Sequence, residues 1–215
     1  MLPKPKVTAD IYTYKYEKLL AMPSEEAEGA RGTVGLPLQL VMFEQLPLWT
    51  TFFETCGFKV VLSDKSSREL YFLGQHTVAS DTACYPTKLM HGHIESLLNK
   101  GVDFIFYPCE SYNLDEHDSI IHYNCPVVAY YAELLKANNE RLTDENFVMP
   151  YLDPNNEATT VRALHRALKK YKLPASLIRR AYRAGLERLQ AYHEDVVREG
   201  RRILFAAEKE GKHVV

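Results

Sequence analysis

The fold is decided by a stretch that begins Thr33-Val34-Gly35-Leu36 and ends Phe58-Lys59-Val60-Val61-Leu62. Both ends are short apolar runs typical of buried strands, and residues 41–56 between them have the spacing of a helix that ends before Gly57. Two strands joined by a helix require a parallel crossover connection. The stretch therefore predicts a βαβ unit.

The same alternation continues further along the chain. Ser63-Asp64 has the composition of a helix cap before residues 66–72, and a longer helix is predicted over residues 86–99. Apolar runs predict further strands over residues 103–107 and 126–129. Short apolar strands that alternate with helices predict an α/β fold, a doubly wound parallel sheet covered by helices on both faces.

Composition divides the chain into three parts. Residues 1–31 are interpreted as a linker because they are polar around Pro23–Gly29, and residues 32–156 as the α/β domain. From residue 157 to residue 215 the periodicity is that of helices only, including a long helix opened by Pro174. The final His213-Val214-Val215 resembles the start of a strand, so we expect this chain to be part of a longer one.

Bulk properties point to an ordinary globular protein in the cytoplasm. The chain is 46% hydrophobic and 25% charged, and it has neither an apolar run long enough to span a membrane nor the apolar core of a signal peptide at its start. Four cysteines in a reducing compartment are thiols or metal ligands rather than disulfides.

Charge is distributed unevenly, which bears on the partners. Residues 1–156 carry 12 Lys and Arg against 21 Asp and Glu, whereas residues 157–215 carry 14 against 7. The basic residues of the second part alternate with apolar residues and acids at helical spacing, which is typical of solvated helix faces or of a face docked on an acidic surface. We therefore predict no nucleic-acid partner and no membrane.

Three cysteines are candidate ligands. Cys84 precedes a helix, Cys109 follows a predicted strand, and Cys125 enters the next one, so all three are expected at the carboxyl edge of the sheet, where open α/β sheets bind ligands. A thiolate before a helix N-terminus is stabilised by the helix dipole, and thiolates suit iron–sulfur clusters or zinc. The alternative is that each is a small buried apolar residue, which we predict for Cys56.

Neighbouring polar residues would line such a site. Lys88 lies one helical turn after Cys84 and would reach an anionic substrate, and Glu110 directly follows Cys109. His91 and His93 diverge on a helix and cannot chelate one ion together, although His91 would face the same edge. A solvated lysine, a core histidine and a plain polar loop are the structural alternatives. The chain lacks glycine-rich phosphate loops, which gives no support to nucleotide binding.

Several motifs, taken together, resemble the acyl-CoA dehydratase activase-related domain. They match in order and spacing over most of residues 32–150 and are Gly35-Leu36-Pro37, Pro47-Leu48-Trp49-Thr50-Thr51-Phe52-Phe53, Gly57–Ser63, Cys84-Tyr85-Pro86-Thr87-Lys88-Leu89, His91-Gly92-His93-Ile94, Phe106-Tyr107-Pro108-Cys109 and Tyr123-Asn124-Cys125-Pro126-Val127-Val128. Leu38 departs from the family pattern, which often has arginine there, so an anion contact from that loop is in doubt.

The resemblance implies a redox role. Related subunits hold a 4Fe-4S cluster with three thiolates, which correspond here to Cys84, Cys109 and Cys125. It also implies three partners: an activator ATPase domain fused in the full-length protein, a second α/β lobe, and an acyl-CoA substrate. The expected function is that of an iron–sulfur domain that accepts electrons from the ATP-driven activator for low-potential reduction or 2-hydroxyacyl-CoA dehydration.

Two other interpretations remain open from the residues. The chain would be a non-catalytic docking or regulatory module if the cysteines are structural, or a zinc protein if the thiolates are joined by His91, His117 or His122. The cluster hypothesis requires the three sulfurs to converge and to open onto one surface at the carboxyl edge of the sheet.

Overall fold

The computed structural model describes residues 9–24, 31–115 and 120–214. Its main sheet has four parallel strands in the order β2-β1-β3-β5, formed by β1 (Thr33–Leu36), β2 (Lys59–Leu62), β3 (Phe104–Phe106) and β5 (Phe147–Val148). A shorter parallel pair follows the carboxyl ends of the last two strands and joins β4 (Cys109–Glu110) to β6 (Tyr151–Leu152). The predicted α/β fold with a parallel sheet is confirmed.

Eight α-helices within the described residues surround these strands. They are α1 (Ile11–Leu20), α2 (Val41–Glu44), α3 (Leu46–Thr55), α4 (Arg68–Gly74), α5 (Tyr85–Asn99), α6 (Pro126–Asn138), α7 (Glu157–Ala167) and α8 (Ala175–Lys209). Short 3₁₀ turns at Gln75–Thr77 and Lys169–Tyr171 follow α4 and α7.

Helices pack against both faces of the main sheet. On one face the Trp49 ring of α3 lies 4.7 Å from the Phe106 ring of β3, centroid to centroid. On the other face a Cβ added to Gly35 would lie 3.0 Å from Leu97 of α5. Because both faces are covered, the strands read as continuous apolar runs rather than as alternating patterns.

The strand order creates a crevice at one edge. From β1 the chain crosses to β2 on one side, and from β2 it returns past β1 to β3 on the other. Reversal of this kind marks the switch point of an open α/β sheet, where loops separate and ligands bind outside the carboxyl ends of the strands. Here that point lies between β1 and β3, and β3 leads directly to Cys109.

The predicted strand at residues 126–129 is wrong. Pro126 is the first residue of α6, and the fourth strand of the sheet is Phe147–Val148 instead. Proline is favoured at the first helical position because its missing N–H would have no partner there, and the good helix formers at residues 132–137 extend the helix.

Three other boundaries differ from the sequence prediction. Residues 41–56 form two helices, because the chain turns at Gln45 ahead of Pro47. Residues 1–31 are not all linker, since Ile11–Leu20 form a helix in which Leu19 is buried and Lys18 pairs with Asp195 of α8. The helical segment begins at Glu157, and the long helix predicted after Pro174 extends to Lys209.

Candidate functional site

Two helices begin at cysteines on the carboxyl edge of the sheet. Cys84 is the residue before α5 and Cys125 is the residue before α6, and each is followed by a proline in the first turn. Helices that connect parallel strands run antiparallel to them, so their N-termini lie at the carboxyl edge. The hydroxyl of Tyr131 on α6 lies 2.8 Å from Nε2 of His91 on α5, which joins the two helices.

The Cys84 thiol is exposed and activated. Its Sγ lies 2.7 Å from the Thr87 hydroxyl. Hydrogen bonds from the Thr87 side chain and backbone lower the pKa of this thiol. Lys88, predicted to reach an anionic substrate, donates to the carbonyl of Asp81 at 2.6 Å and so fixes the loop ahead of Cys84. The thiolate therefore forms more readily here than at an ordinary cysteine.

A hairpin brings Cys125 beside the segment that follows Cys109. Tyr112 and Tyr123 form an antiparallel bridge, and the Asn124 side-chain amide donates to the carbonyl of Glu110 at 2.9 Å. The segment that precedes α6 therefore lies beside the segment that follows β4. This arrangement holds the exposed Cys125 close to β4.

Cys109 is buried in the core. It is 1% exposed, and burial, followed by the Glu133 charge, raises the pKa of its thiol to about 11. The pKa of the same thiol is lowered by hydrogen bonds with the backbone of Ala132 and Glu133 and with the Tyr151 hydroxyl. The sulfur therefore lies against the second turn of α6, and the expectation that all three thiols open onto one surface is wrong for Cys109 in this conformation.

This placement decides how far the cysteines fit a cluster. Cys84 and Cys125 are both placed where they could ligate a cluster. Cys109 lies beside Ala132, which is seven residues after Cys125 and therefore about 10 Å further along α6. Iron–thiolate bonds of roughly 2.3 Å require closer sulfurs. Among the described residues no three His, Cys, Asp or Glu side chains are grouped as a metal site. As arranged, the three cysteines do not form a complete ligand set.

Glu110 points away from solvent into a polar chain within the core. Its carboxylate accepts a hydrogen bond from Nε2 of Gln45 at 2.7 Å, and Oε1 of Gln45 accepts one from the Trp49 indole at 2.8 Å. Burial raises the pKa of Glu110 to about 7, against the opposing effect of Gln45. In this conformation a substrate would have no direct access to Glu110.

Both histidines of the His91-Gly92-His93 motif are internal. His91 bonds Thr77 through Nδ1 at 2.7 Å and Tyr131 through Nε2, while His93 bonds Ser63 and Ser66. Burial lowers the pKa of each imidazole to about 4, so both are neutral. His91 has no ring nitrogen left for zinc or substrate, and the two rings diverge as predicted.

Of the other two zinc candidates, only His122 lies within the described residues. Nε2 of His122 is 3.4 Å from Asp115, and His117 lies outside the described residues. Cys56 is 1% exposed in the core, as predicted, and burial raises the pKa of its thiol to about 12. Sequence reasoning missed Gln45 and Tyr131, because each acquires its role from a partner that is distant in sequence.

Thiol alkylation distinguishes the two classes of cysteine. Treating the native protein with iodoacetamide is expected to modify Cys84 and Cys125 and to leave Cys56 and Cys109 intact, because only the first two are accessible. Peptide mass spectrometry measures the pattern, and denatured protein, which should label at all four, is the control. Rapid native labelling of Cys109 would contradict its placement in the core.

Together, the parallel sheet, its switch point and the two cysteines at helix N-termini define an α/β protein with a thiol-bearing carboxyl edge. The family model described as the CoA enzyme activase uncharacterised domain matches residues 33–215, and the chain belongs to this family. The predicted resemblance to an activase-related domain is thereby confirmed. Neither the curated proteins nor the solved structures gave a match. Among the described residues no helix combines the length and apolar character that a membrane span requires.

Proposed function

We propose that this chain is a cytoplasmic iron–sulfur domain of an activase-type system, in which Cys84, Cys109 and Cys125 ligate a 4Fe-4S cluster. Its partners would be an activator ATPase domain, a second α/β lobe and an acyl-CoA. When bound, the cluster would supply single-electron transfer at low potential, for reduction or for 2-hydroxyacyl-CoA dehydration.

The observation that carries the proposal is the pair of accessible thiols at adjacent helix N-termini. At Cys84 the helix dipole and the Thr87 hydrogen bonds favour the thiolate, and Cys125 occupies the equivalent position before α6. Burial and the charge of Cys84 raise the pKa of Tyr131 to about 12, which indicates that Cys84 lies near α6 as well as α5. Membership of the CoA enzyme activase family supports the redox context.

Cys109 sets the structural requirement. To join the other two thiols, its side chain has to leave the second turn of α6 and move towards the helix start. The segment from Cys109 to Glu110 pairs with β6 over two residues, and Glu110 also accepts hydrogen bonds from Gln45 and Asn124. The movement would therefore disturb this short ladder rather than the main sheet. Loss of the proton from a thiol with a pKa of about 11 would accompany ligation.

Anaerobic preparation with iron and sulfide tests the proposal. The wild-type chain is expected to bind about four iron and four sulfide per chain and to absorb broadly near about 400 nm, without zinc. Cys84→Ser, Cys109→Ser and Cys125→Ser should each lower the iron content several-fold, because each removes one of three thiolates. Cys56→Ala is the matched control and should retain the cluster.

A docking or regulatory module is the second candidate, and the burial of Cys109 favours it. Exposed apolar side chains on the hairpin and on α6 also suit a protein interface, namely Ile120, Ile121, Tyr123, Tyr130 and Leu134. Two results together would support this function and overturn the cluster. The reconstituted wild-type protein would bind no iron, and Cys109→Ser would be the one cysteine variant that is unstable.

A further inference from the structure

A strip of four exposed tyrosines lies where the hairpin, α6 and β6 meet. Its members are Tyr112 and Tyr123 of the hairpin, Tyr130 of α6 and Tyr151 of β6. Their exposed fractions range from 39% for Tyr112 to 70% for Tyr123. Because tyrosine is enriched in the contact surfaces of proteins, four of them on one surface indicate a place where a partner binds.

Contacts between neighbouring members make this tyrosine strip continuous. The Tyr112 and Tyr123 rings lie 4.7 Å apart, centroid to centroid, and their hydroxyls are 3.2 Å apart. Ser111, beside Tyr112, has its hydroxyl 3.0 Å from that of Tyr130. The Tyr130 and Tyr151 rings follow, with centroids 6.5 Å apart. The side chains are therefore positioned before a partner arrives, which lowers the entropy lost on binding.

Carboxylates accompany the tyrosine strip. Glu133 of α6 accepts a hydrogen bond from the Tyr151 hydroxyl. The pKa of Tyr112 is raised first by its hydrogen bond with Tyr123 and more weakly by the charge of Asp153, which places that carboxylate nearby. Negative charge therefore lies beside exposed aromatic rings.

The segments that build this surface contain no lysine or arginine. There is none between Lys100 and Lys136 and none between Arg141 and Arg162, and these two stretches supply all four tyrosines and both carboxylates. Lys136, one helical turn after Glu133, forms an ion pair with Asp144. A cation from a partner would thus meet ring faces and carboxylates together, which is complementary in charge.

We propose that the tyrosine strip binds an arginine-rich segment of a partner protein. The planar guanidinium group stacks on aromatic faces and also donates to carboxylates such as Glu133 and Asp153, whereas a lysine ammonium is a compact, strongly hydrated charge. The inference names a partner for the docking surface described above. It does not rest on the iron–sulfur proposal, because none of the three candidate cysteines belongs to the strip.

A ¹H–¹⁵N NMR titration of the iron-free chain with an acetylated and amidated tetra-arginine peptide tests this proposal. Saturable shifts are expected at the hairpin, at β6 and along α6 near Tyr130, and the affinity should fall as NaCl is added, because salt screens exposed charges. Tetra-lysine should bind about three-fold more weakly, and tetra-serine should cause no saturable shifts.

Variants separate the strip from general attraction between charges. Tyr123→Ser and Tyr130→Ser should each weaken tetra-arginine binding about three-fold, because each removes one exposed ring. Tyr123→Phe keeps the ring and should bind the peptide like the wild type. Tyr12→Ser removes a similarly exposed tyrosine on α1 and should leave the affinity unchanged. Thermal unfolding verifies that each variant is folded.

Three outcomes would refute the proposal: no saturable shifts with tetra-arginine, equally tight binding of tetra-serine, or wild-type affinity in either serine variant. The iron content of the reconstituted chain is a separate measurement. A failure of peptide binding is therefore distinguishable from a failure of the iron–sulfur proposal.

Discussion

Replacing Gly92 by alanine is expected to destabilise the protein by about 3 kcal/mol or more, since the new methyl group has no space. A Cβ at Gly92 would lie 2.0 Å from the carbonyl oxygen of Leu70 on α4, and one at Gly74 would lie 2.2 Å from the backbone nitrogen of Gly92. The backbones of α4 and α5 therefore touch where they cross, and only glycine permits this. For a chain of this size we expect Tm to fall by roughly 10 °C in calorimetry.

Gly200→Ala is the matched control. Gly200 is also helical, but a Cβ there would meet nothing within 4 Å. Alanine is favoured over glycine within a helix by about 1 kcal/mol, so this variant should be slightly more stable than the wild type. A Gly92→Ala protein with wild-type Tm would show that α4 and α5 do not cross this closely.

The same crossing positions the candidate site. His91 precedes Gly92, and its Nδ1 bonds Thr77, whose hydroxyl donates to the carbonyl of Gly74. With that hydroxyl proton already used, Nδ1 carries the imidazole proton and Nε2 accepts from Tyr131. The His91-Gly92-His93 motif thus has a structural role: it packs α5 against α4 and links it to α6, which sets the spacing between the helices that begin at Cys84 and Cys125.

The strands that could be predicted are those with sufficient local signal. The runs at Thr33–Leu36 and Lys59–Leu62 have four consecutive residues in the sheet and a glycine nearby to mark a turn. Pro126-Val127-Val128 has a similar composition but begins α6, because a short apolar run does not distinguish a strand from the first turn of a helix. Phe147–Val148 is too short to detect and is a strand only through its neighbour β3.

For the cysteines, likewise, the sequence determines the position along the fold, whereas distant contacts determine the side-chain direction. The order of strands and helices was sufficient to place Cys84 and Cys109 at the carboxyl edge, whereas Cys125 lies there because Pro126 begins a helix and not the predicted strand. The direction of each side chain was not predictable, because it depends on tertiary contacts. Cys109 is turned inward by the pairing of β4 with β6 and by the packing of α6, and both elements lie later in the chain. Sequence spacing contains no information on these contacts.

Stability should depend on pH through the buried carboxyl of Glu110. Burial raises its pKa from 4.5 to about 7 in the folded state, so between these values the folded protein binds more protons than the unfolded chain. The free energy of unfolding contributed by this group is therefore highest below about pH 4.5 and falls as pH rises through about 7. Above that window the loss is complete and amounts to about 3 kcal/mol.

His91 and His93 have the opposite effect on how the free energy of unfolding depends on pH. Burial lowers the pKa of each imidazole from 6.5 to about 4, so their contribution is fully present above about pH 6.5 and is lost as pH falls towards 4. The pH profile of the wild-type protein combines both effects. Only a comparison with a variant that keeps the two histidines isolates the contribution of Glu110.

Glu110→Gln provides that comparison, because its side-chain carbonyl can still accept the hydrogen bond from Gln45. In urea denaturation without bound iron, the variant is expected to be more stable than the wild type by about 3 kcal/mol at pH 8, and the difference should disappear near about pH 4.5. Glu187→Gln, on the exposed face of α8, should follow the wild-type curve throughout. A Glu110→Gln protein whose stability difference is the same at pH 5 and pH 8 would mean that Glu110 is ionised normally, and that the chain from Gln45 to Trp49 stabilises its charge.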